Sequence, residues 1–506
     1  MGGIDLTDEQ LRDVAWKELQ QTTVGWYKVA NLPAGKLAAT HWGKAKAWLD
    51  MIGKQPLDRV PIPVPASVFP DPPIAPSETR YTIPAGAVSV ANQAALETEL
   101  AKGTAEDIKV LNGAYTRATE LAVTAAAHRV WCESATGVTF NYGFRYNNVV
   151  GWEFHGGKFN IPDLAHAATD GAFTAALLNW VGSTVCNVKI SDVTIDGANL
   201  VAQGVQLGQP GGAVIQRVVV TNCTDEGLRL SDNSLTSVSV IDTITDINCS
   251  GIHRTVYGSA GGTAEAGLWV GLQVTNTVRR LKFRDIGWMG LFTGNLAYNT
   301  QYSDIDTDTG INTGNRTGIY CEHRTRFCNF DRVLFGPGCS TGMICEWDYN
   351  LNSGLNGPHT LPVGTITVKD STAAYPGSGN IYVGSPADSI QTVAYTGKGA
   401  NTFTGCTGGS GTYGDGTIVA ASSEGPGGSM AWYVTLTNSR NNSADYGVFF
   451  DNGTMYPKVT GTTFTNCATA AIKDRSNNPQ CTSSADSNMT QTGNTFTQRG
   501  TNISYG

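Results

Sequence analysis

Gly204-Val-Gln-Leu207, Gly227-Leu-Arg-Leu230, Gly267-Leu-Trp-Val270, Gly290-Leu-Phe-Thr293, Gly318-Ile-Tyr-Cys321, Gly342-Met-Ile-Cys345 and Gly447-Val-Phe-Phe450 are seven versions of one phrase. Where nothing is inserted, the glycines recur at steps of 23, 23 and 24 residues. A step of this length, filled with strand-type alternation, is that of a solenoid whose coils are too thin to bury an apolar face alone and so stack on one another. Side chains of a strand point to opposite faces in turn. With the residue after each glycine turned inward, Val205, Leu228, Leu268, Leu291, Ile319, Met343 and Val448 form one buried ladder. Leu207, Leu230, Val270, Thr293, Cys321, Cys345 and Phe450 form a second. Outward go Gln206, Arg229, Trp269, Phe292, Tyr320, Ile344 and Phe449, a row rich in aromatics. Such a row fits either packing against sister chains in a trimer or an exposed platform for sugars.

Composition agrees with an all-β chain. Glycine supplies 60 of the 506 residues and charged residues only 15%, which suits dense turns and disfavours long helices. A net charge of −8 gives no reason to expect nucleic acid or a bilayer as partner. No stretch is long and apolar enough to span a membrane, and Met1-Gly-Gly-Ile-Asp-Leu has neither the basic start nor the apolar run of a signal peptide. The expectation is assembly in a cytoplasm. The 11 cysteines include no CxxC pair, and Cys321 and Cys345 fall on the inward ladder, so buried free thiols are expected. Cys223, Cys249 and Cys467 each follow Asn and are read as one equivalent coil corner.

Taken in order, five regions are expected. Residues 1–56 form a helical head: Thr7-Asp-Glu-Gln10 fits a capping box, and Trp16, Trp26, Trp42 and Trp48 suggest a surface buried against a partner or a sister chain. Residues 57–84 form a proline-rich linker with Pro61, Pro63, Pro65, Pro70, Pro72, Pro73, Pro76 and Pro84. Residues 85–355 are a β-helix opened by a capping helix, with Asn92 as N-cap and Leu96 and Leu100 on its buried face. Residues 356–428 break the rhythm and are an inserted small β domain, and residues 429–506 resume the coils and end in a tail.

The opening Asn92–Tyr115, with its helix, Ile108-Lys-Val and Gly113-Ala-Tyr115, resembles that of right-handed parallel β-helix proteins. The module Val383…Val393-Ala-Tyr-Thr-Gly-Lys398…Phe403-Thr-Gly-Cys-Thr-Gly-Gly-Ser-Gly411 resembles an insert common in minor tail proteins of tailed bacteriophages. Trp42-Gly-Lys-Ala-Lys-Ala-Trp48 resembles the start of tail proteins from phages of actinobacteria. Together these resemblances cover most of the chain. They imply a tailspike-like minor tail protein of a virion, often a homotrimer, facing the host surface and meeting its glycans. The head, residues 1–56, would then join other tail-tip proteins. Some members of such families cleave host glycans with carboxylates on a coil face or between chains; others only bind or build the tail tip.

The residues themselves offer one candidate for chemistry. Glu322 follows Cys321 and Glu346 follows Cys345, so both are expected to point outward at one position of successive coils. Stacked strands lie about 4.8 Å apart. Carboxyls that close share a proton, and a spacing near 5 Å suits the acid and nucleophile of a retaining glycosidase. Tyr320, His323, Arg324, Trp347 and Asp348 stand beside them as candidate substrate-binding groups. Solvated or trimer-contact side chains are the plainer reading. Asp225, Glu226 and Asp232 flank another phrase and read as turn chemistry. Asp304-Ile-Asp306-Thr-Asp308 resembles a calcium loop, but its glycine falls one place late and Asn315 stands where the terminal Glu belongs. No zinc spacing, P-loop, GxSxG phrase or dinucleotide fingerprint appears, so no cofactor is expected. Two functions remain: a non-enzymatic receptor-binding tail protein, or a tail-borne polysaccharide hydrolase or lyase using Glu322 and Glu346.

Overall fold

The computed structural model describes residues 70–505 apart from 77–79, 171–172, 181–185, 209, 232–238, 254–264, 272, 295–296, 298, 310–315, 323–324, 346–351, 385–389, 423–430, 452–453, 477–482, 485–486 and 499. The chain divides into two units, residues 1–65 and 66–506. The head expected over residues 1–56 lies outside the described residues.

The second unit is a right-handed parallel β-helix. Two sheets wind along it: a glycine sheet of 13 strands that carries all seven phrases, and a long sheet of 19 strands. On the glycine sheet Val205 pairs with Leu228, then Leu268, Leu291, Ile319, Met343 and Val448 follow in parallel register, one per coil. Both expected inward ladders are buried throughout. The second strands Val218-Val-Val220, Leu281-Lys-Phe283 and Val333-Leu-Phe335 close the core from the long sheet. A single apolar cluster then runs from Val90 to Ile472.

The phrase begins with glycine for a steric reason. A Cβ at Gly267 would lie 2.2 Å from Cδ1 of Phe283 in the facing sheet and 2.7 Å from the Gly290 carbonyl in the next coil. A Cβ at Gly447 would lie 2.3 Å from the Ala471 carbonyl. The same crowding, against the carbonyl of the next glycine, recurs at Gly204, Gly227, Gly290, Gly318 and Gly342. The seven glycines are thus one column in which the glycine sheet presses its backbone against the core, and no side chain fits there.

The long sheet is bent along a second column. Asp192, Arg217, Asp246, Arg280, Asp304 and Arg332 are stacked in register, and all have φ between 53° and 61°. Left-handed backbone is uncommon for non-glycine residues, and here six succeed one another with alternating charge. Each arginine closes on the aspartate of the coil before it. Arg217 Nε and Nη2 donate to the Asp192 carboxylate at 2.8 and 2.7 Å, and Arg280 to Asp246 at 2.5 and 2.6 Å. Arg332 donates to Asp304 through Nη2 alone. These pairs, two of them bidentate, meet charges that this bend would otherwise bury unpaired.

Part of the proline-rich stretch lies against this column. The backbone N–H of Asp71 donates to Asp304 at 3.2 Å and that of Ile74 to Asp246 at 2.8 Å. Further on, the Tyr81 hydroxyl donates to the Cys132 carbonyl at 2.7 Å. Residues 71–76, with Tyr81, therefore lie against the solenoid as a strap. The helix Gln93–Leu100 follows; the Asn92 side chain accepts from the Ala95 N–H at 3.0 Å, and Leu96 and Leu100 are buried against the first coils.

Strands between Asn352–Gly354 and Ile418–Ala421 pair only among themselves, in small antiparallel sheets around their own core of Leu355, Ile366, Val393, Phe403 and neighbours. The coils pass this segment by: Thr341–Cys345 pairs directly with Tyr446–Phe450. The ten described cysteines are free and buried. The equivalent corner for Cys223 and Cys249 is corrected by the register, which sets Cys249 opposite Val220 and Gly251 beside Asn222. Cys249 faces Gly227 across the core, whereas Cys223 lies against Gly197, because the strand Ser239–Ile252 carries its Asn-Cys pair three positions earlier in the coil.

Candidate functional site on the outer face of the glycine sheet

Of the carboxylates proposed for catalysis, Glu322 follows the strand Thr317–Cys321, and its N–H donates to the Thr293 carbonyl of the preceding coil at 2.9 Å. Cys321 and Cys345 pair in register. Glu346, Trp347 and Asp348 lie outside the described residues, as do His323 and Arg324. Tyr320 does face away from the core, yet only 5% of it is exposed. Its ring lies 6.0 Å from Phe292 and 5.8 Å from Trp288. Phe292 in turn stacks on Trp269 at 3.6 Å, and the Arg229 guanidinium caps Trp269 at 5.1 Å. The faces of Phe292 and Tyr320 are thus covered by neighbouring rings, while Trp269 and Phe449 stay half-buried. Strand spacing makes successive outward rings stack on one another, so their flat faces are used within the chain.

The calcium reading is corrected too. Asp304, Asp306 and Asp308 lie along one strand, Gln301–Asp308, not in a loop. Asp304 holds Arg332, Asp306 holds Arg284 at 2.5 Å, and Asp308 accepts the Gly338 N–H at 2.8 Å. Among the described residues no group of acids, histidines and cysteines has the arrangement of a metal site.

The structure instead concentrates buried polarity one position before the glycines. Gln203 and Glu226 occupy successive coils there, in register, with Ala266 next. These positions point outward because the strand turns two consecutive residues, the glycine and the one after it, toward the core. Three residues on, Gln206, Arg229 and Trp269 form the neighbouring outward row. Glu226 is 1% exposed and Gln203 and Gln206 are nearly as buried. The Gln203 amide donates to Glu226 at 2.7 Å and the Arg229 guanidinium donates to its other oxygen at 2.7 Å. Asp225 lies beside them, 3.4 Å from the Gln203 amide nitrogen. Burial, then the charge of Asp225, push the Glu226 carboxyl up to about 8 against the pull of Arg229. Glu226 therefore holds its proton to a higher pH than an ordinary carboxyl does. The amide oxygens of Gln203 and Gln206 are buried and accept no hydrogen bond from the protein. Acceptors of this kind are costly unless a donor, an ordered water or a hydroxyl, fills them.

The cradle is bordered on one side by Ala168, Ala175 and Leu178 and on the other by the ring stack from Trp269. It holds two buried amide acceptors beside a buried carboxyl pair.

No protein family model matches the sequence, and no curated protein matches it. Solved structures do. The catalytic domain of a GH87 alpha-1,3-glucanase in complex with nigerose aligns with a TM-score of 0.43 at 10% identity, over 85% of this chain and 67% of that one. PfbA, a surface adhesin of Streptococcus pneumoniae, gives 0.37 at 11% identity, over 81% and 86%. ORF18 of Geobacillus virus E2 gives 0.28 at 11%, over 68% and 78%. The likeness is one of winding. It transfers no residue to this chain.

Sequence reasoning had Asp225 and Glu226 in view and read them as turn residues. Nothing in either residue signals burial. The signal available was positional: the place before each phrase glycine holds Gln203, Glu226, Ala266, Met289, Thr317, Thr341 and Tyr446, and the charged member of an otherwise uncharged column is the one to question.

Proposed function

We propose that this protein is a minor tail component of a bacteriophage virion, assembled in the host cytoplasm, that binds a host-surface polysaccharide across the outer face of the glycine sheet. The observation that carries the binding reading is the pair of buried, donor-less amide oxygens of Gln203 and Gln206 beside the Asp225–Glu226 pair. Sugar hydroxyls are donors of the right kind, and a polymer repeats them along the axis in which the coils repeat. The phage assignment draws on the insert and head motifs of the sequence, and the expected trimer and the tail-tip contacts through residues 1–56 belong to the same proposal.

A second reading, cleavage of the bound polymer, is favoured by one observation. A carboxyl that keeps its proton near pH 7 beside an ionisable partner is the combination that glycoside hydrolysis uses as acid and base. Here that pair is Asp225 and Glu226. Glu322 and Glu346 remain a second candidate pair for the same chemistry.

The test uses purified full-length protein and host envelope polysaccharide. Binding by the wild type that falls at least tenfold in Gln203→Ala/Gln206→Ala supports the proposed face; unchanged binding in that variant overturns it. New reducing ends that vanish in Glu226→Gln establish cleavage at this pair. Loss in Glu322→Gln and Glu346→Gln instead assigns it to the other.

A further inference from the structure

A separate polar cluster lies on the long sheet, near the start of the solenoid. Glu153 and His155 are two residues apart on one strand and point outward together. The parallel register sets Lys189 opposite Glu153 and Ser191 opposite His155 in the next coil. Ser191 Oγ lies 2.8 Å from His155 Nδ1, and His155 Nε2 lies 3.0 Å from Glu153 Oε2. Lys189 Nζ donates to the other oxygen of Glu153 at 2.8 Å. The imidazole is fixed in the plane of this chain of contacts: it stacks on Trp131, with centroids 4.0 Å apart and planes at 15°. Tyr81 of the strap lies 6.0 Å from it.

The arrangement has a chemical polarity. The hydrogen bond from His155, aided by Lys189, holds the Glu153 carboxyl down at about 2, so it stays ionised. An ionised Glu153 at Nε2 keeps the ring proton on that nitrogen. Nδ1 then offers a lone pair to the Ser191 hydroxyl. A hydroxyl, a base within hydrogen-bond reach and an acid that orients the base are the parts of an activated serine nucleophile. The backbone helps to fix the hydroxyl: Asp192, next in sequence, sits at φ 58° in the bent column, and its carboxylate is held by Arg217. Gln216 stands opposite Ser191 in the following coil. Arg217 is engaged by Asp192 and donates through Nη1 to the Gln216 amide oxygen at 3.2 Å, so the Gln216 amide NH2 is the side-chain donor that coil brings to the edge of the site.

We propose that Ser191, His155 and Glu153 form an acyl-ester hydrolase site for small acyl groups, such as an acetyl ester of a sugar hydroxyl. Ser191 Oγ bonds to the ester carbonyl carbon while its proton passes to His155 Nδ1. The carbonyl oxygen takes the negative charge beside the Gln216 amide. Collapse breaks the bond to the alkoxy oxygen, which leaves as the alcohol with the proton from His155. Water then attacks the acyl-serine, again losing a proton to His155, and the carboxylic acid leaves as Ser191 recovers its hydrogen. Glu153 stabilises the imidazolium formed in both halves. Ser191 and His155 are more than nine-tenths buried, and Tyr81 lies over the imidazole, which restricts the site to short acyl chains. The site is independent of the polysaccharide face described above.

The experiment treats full-length protein with diisopropyl fluorophosphate and maps the adduct by peptide mass spectrometry, alongside turnover of p-nitrophenyl acetate. Wild type, Ser191→Ala, His155→Gln, Glu153→Gln and Tyr81→Ala are compared, each first checked for an unchanged circular dichroism spectrum. The expected result is phosphorylation of Ser191 in the wild type or in Tyr81→Ala. Turnover should fall at least a hundredfold in Ser191→Ala and His155→Gln and at least tenfold in Glu153→Gln, with an acid limb in the pH profile. No adduct on Ser191 in either protein, or turnover equal to that of Ser191→Ala, overturns the proposal and leaves the three residues as a clamp for the strap.

Discussion

At the scale of single residues, two positions decide more than their size suggests. Gly267 sits where a methyl group would meet Phe283 on one side and the Gly290 carbonyl on the other. Overpacking of this kind costs about 1–3 kcal/mol. Gly267→Ala is therefore expected to lower the denaturant midpoint by that amount without changing the far-ultraviolet spectrum, and a variant as stable as wild type would refute the steric column. Glu226 makes the complementary case for charge. Its folded value near 8 lies above the ordinary 4.5, so in the pH range between them the native state keeps a proton that the unfolded chain has lost. Stability must then fall as pH rises from about 4.5 to about 8 and level off above. In Glu226→Gln the part of that slope owed to this group disappears, as thermal melts at pH 5, 7 and 9 will show.

At the scale of elements, the bent column of the long sheet and the strap belong together. Three aspartates each spend one carboxylate on an arginine, and two of them also accept a strap N–H. Removing one partner leaves the other buried and charged, which costs about 3–5 kcal/mol. Asp246→Ala is expected to destabilise by that order and also to release the strap near Ile74, seen as faster limited proteolysis between residues 70 and 84. Replacing Asp246 and Arg280 together with Asn and Met should recover much of the stability but not the protection of the strap. Resistance to protease in Asp246→Ala would show that the strap is held by something else. The proline run marks this stretch as extended in either case; that it docks depends on carboxylates more than 150 residues away in sequence.

At the scale of the whole molecule, the inserted segment is a passenger on the solenoid. Gly354 pairs with Ile418, so the two ends of the insert lie side by side, and the coils before and after it pair directly. Joining these ends with a short glycine-serine turn is expected to leave the β-helix folded, with a cooperative melt close to that of the full chain. Collapse on deletion would show that the module is a structural part of the stack. The proposed trimer belongs to this scale as well. Sedimentation equilibrium should give three times the mass of the 506-residue chain, and a monomer would withdraw both the trimer and any site shared between chains.

The winding itself was legible in the chain. Seven glycine-led segments at regular steps, with two apolar positions after each glycine, leave one economical way to hide those positions, and the inward ladders follow from alternation alone. The capping helix was equally plain, from Asn92 and the pair Leu96 and Leu100. What sequence could not settle is how outward side chains meet across coils. Trp269, Phe292 and Tyr320 read as a row for sister chains or for sugars, yet strand spacing close to ring-stacking distance turns them face to face within one chain. Asp304, Asp306 and Asp308 read as a loop, yet they lie along one strand and each finds a separate partner. Glu226 read as a turn residue, and Ser191, His155 and Glu153 drew no notice, because register brings together residues 36 apart. Periodicity is a property of neighbours along the chain and survives in the sequence; proximity between coils depends on the exact length of every turn between them, and only the folded molecule fixes that.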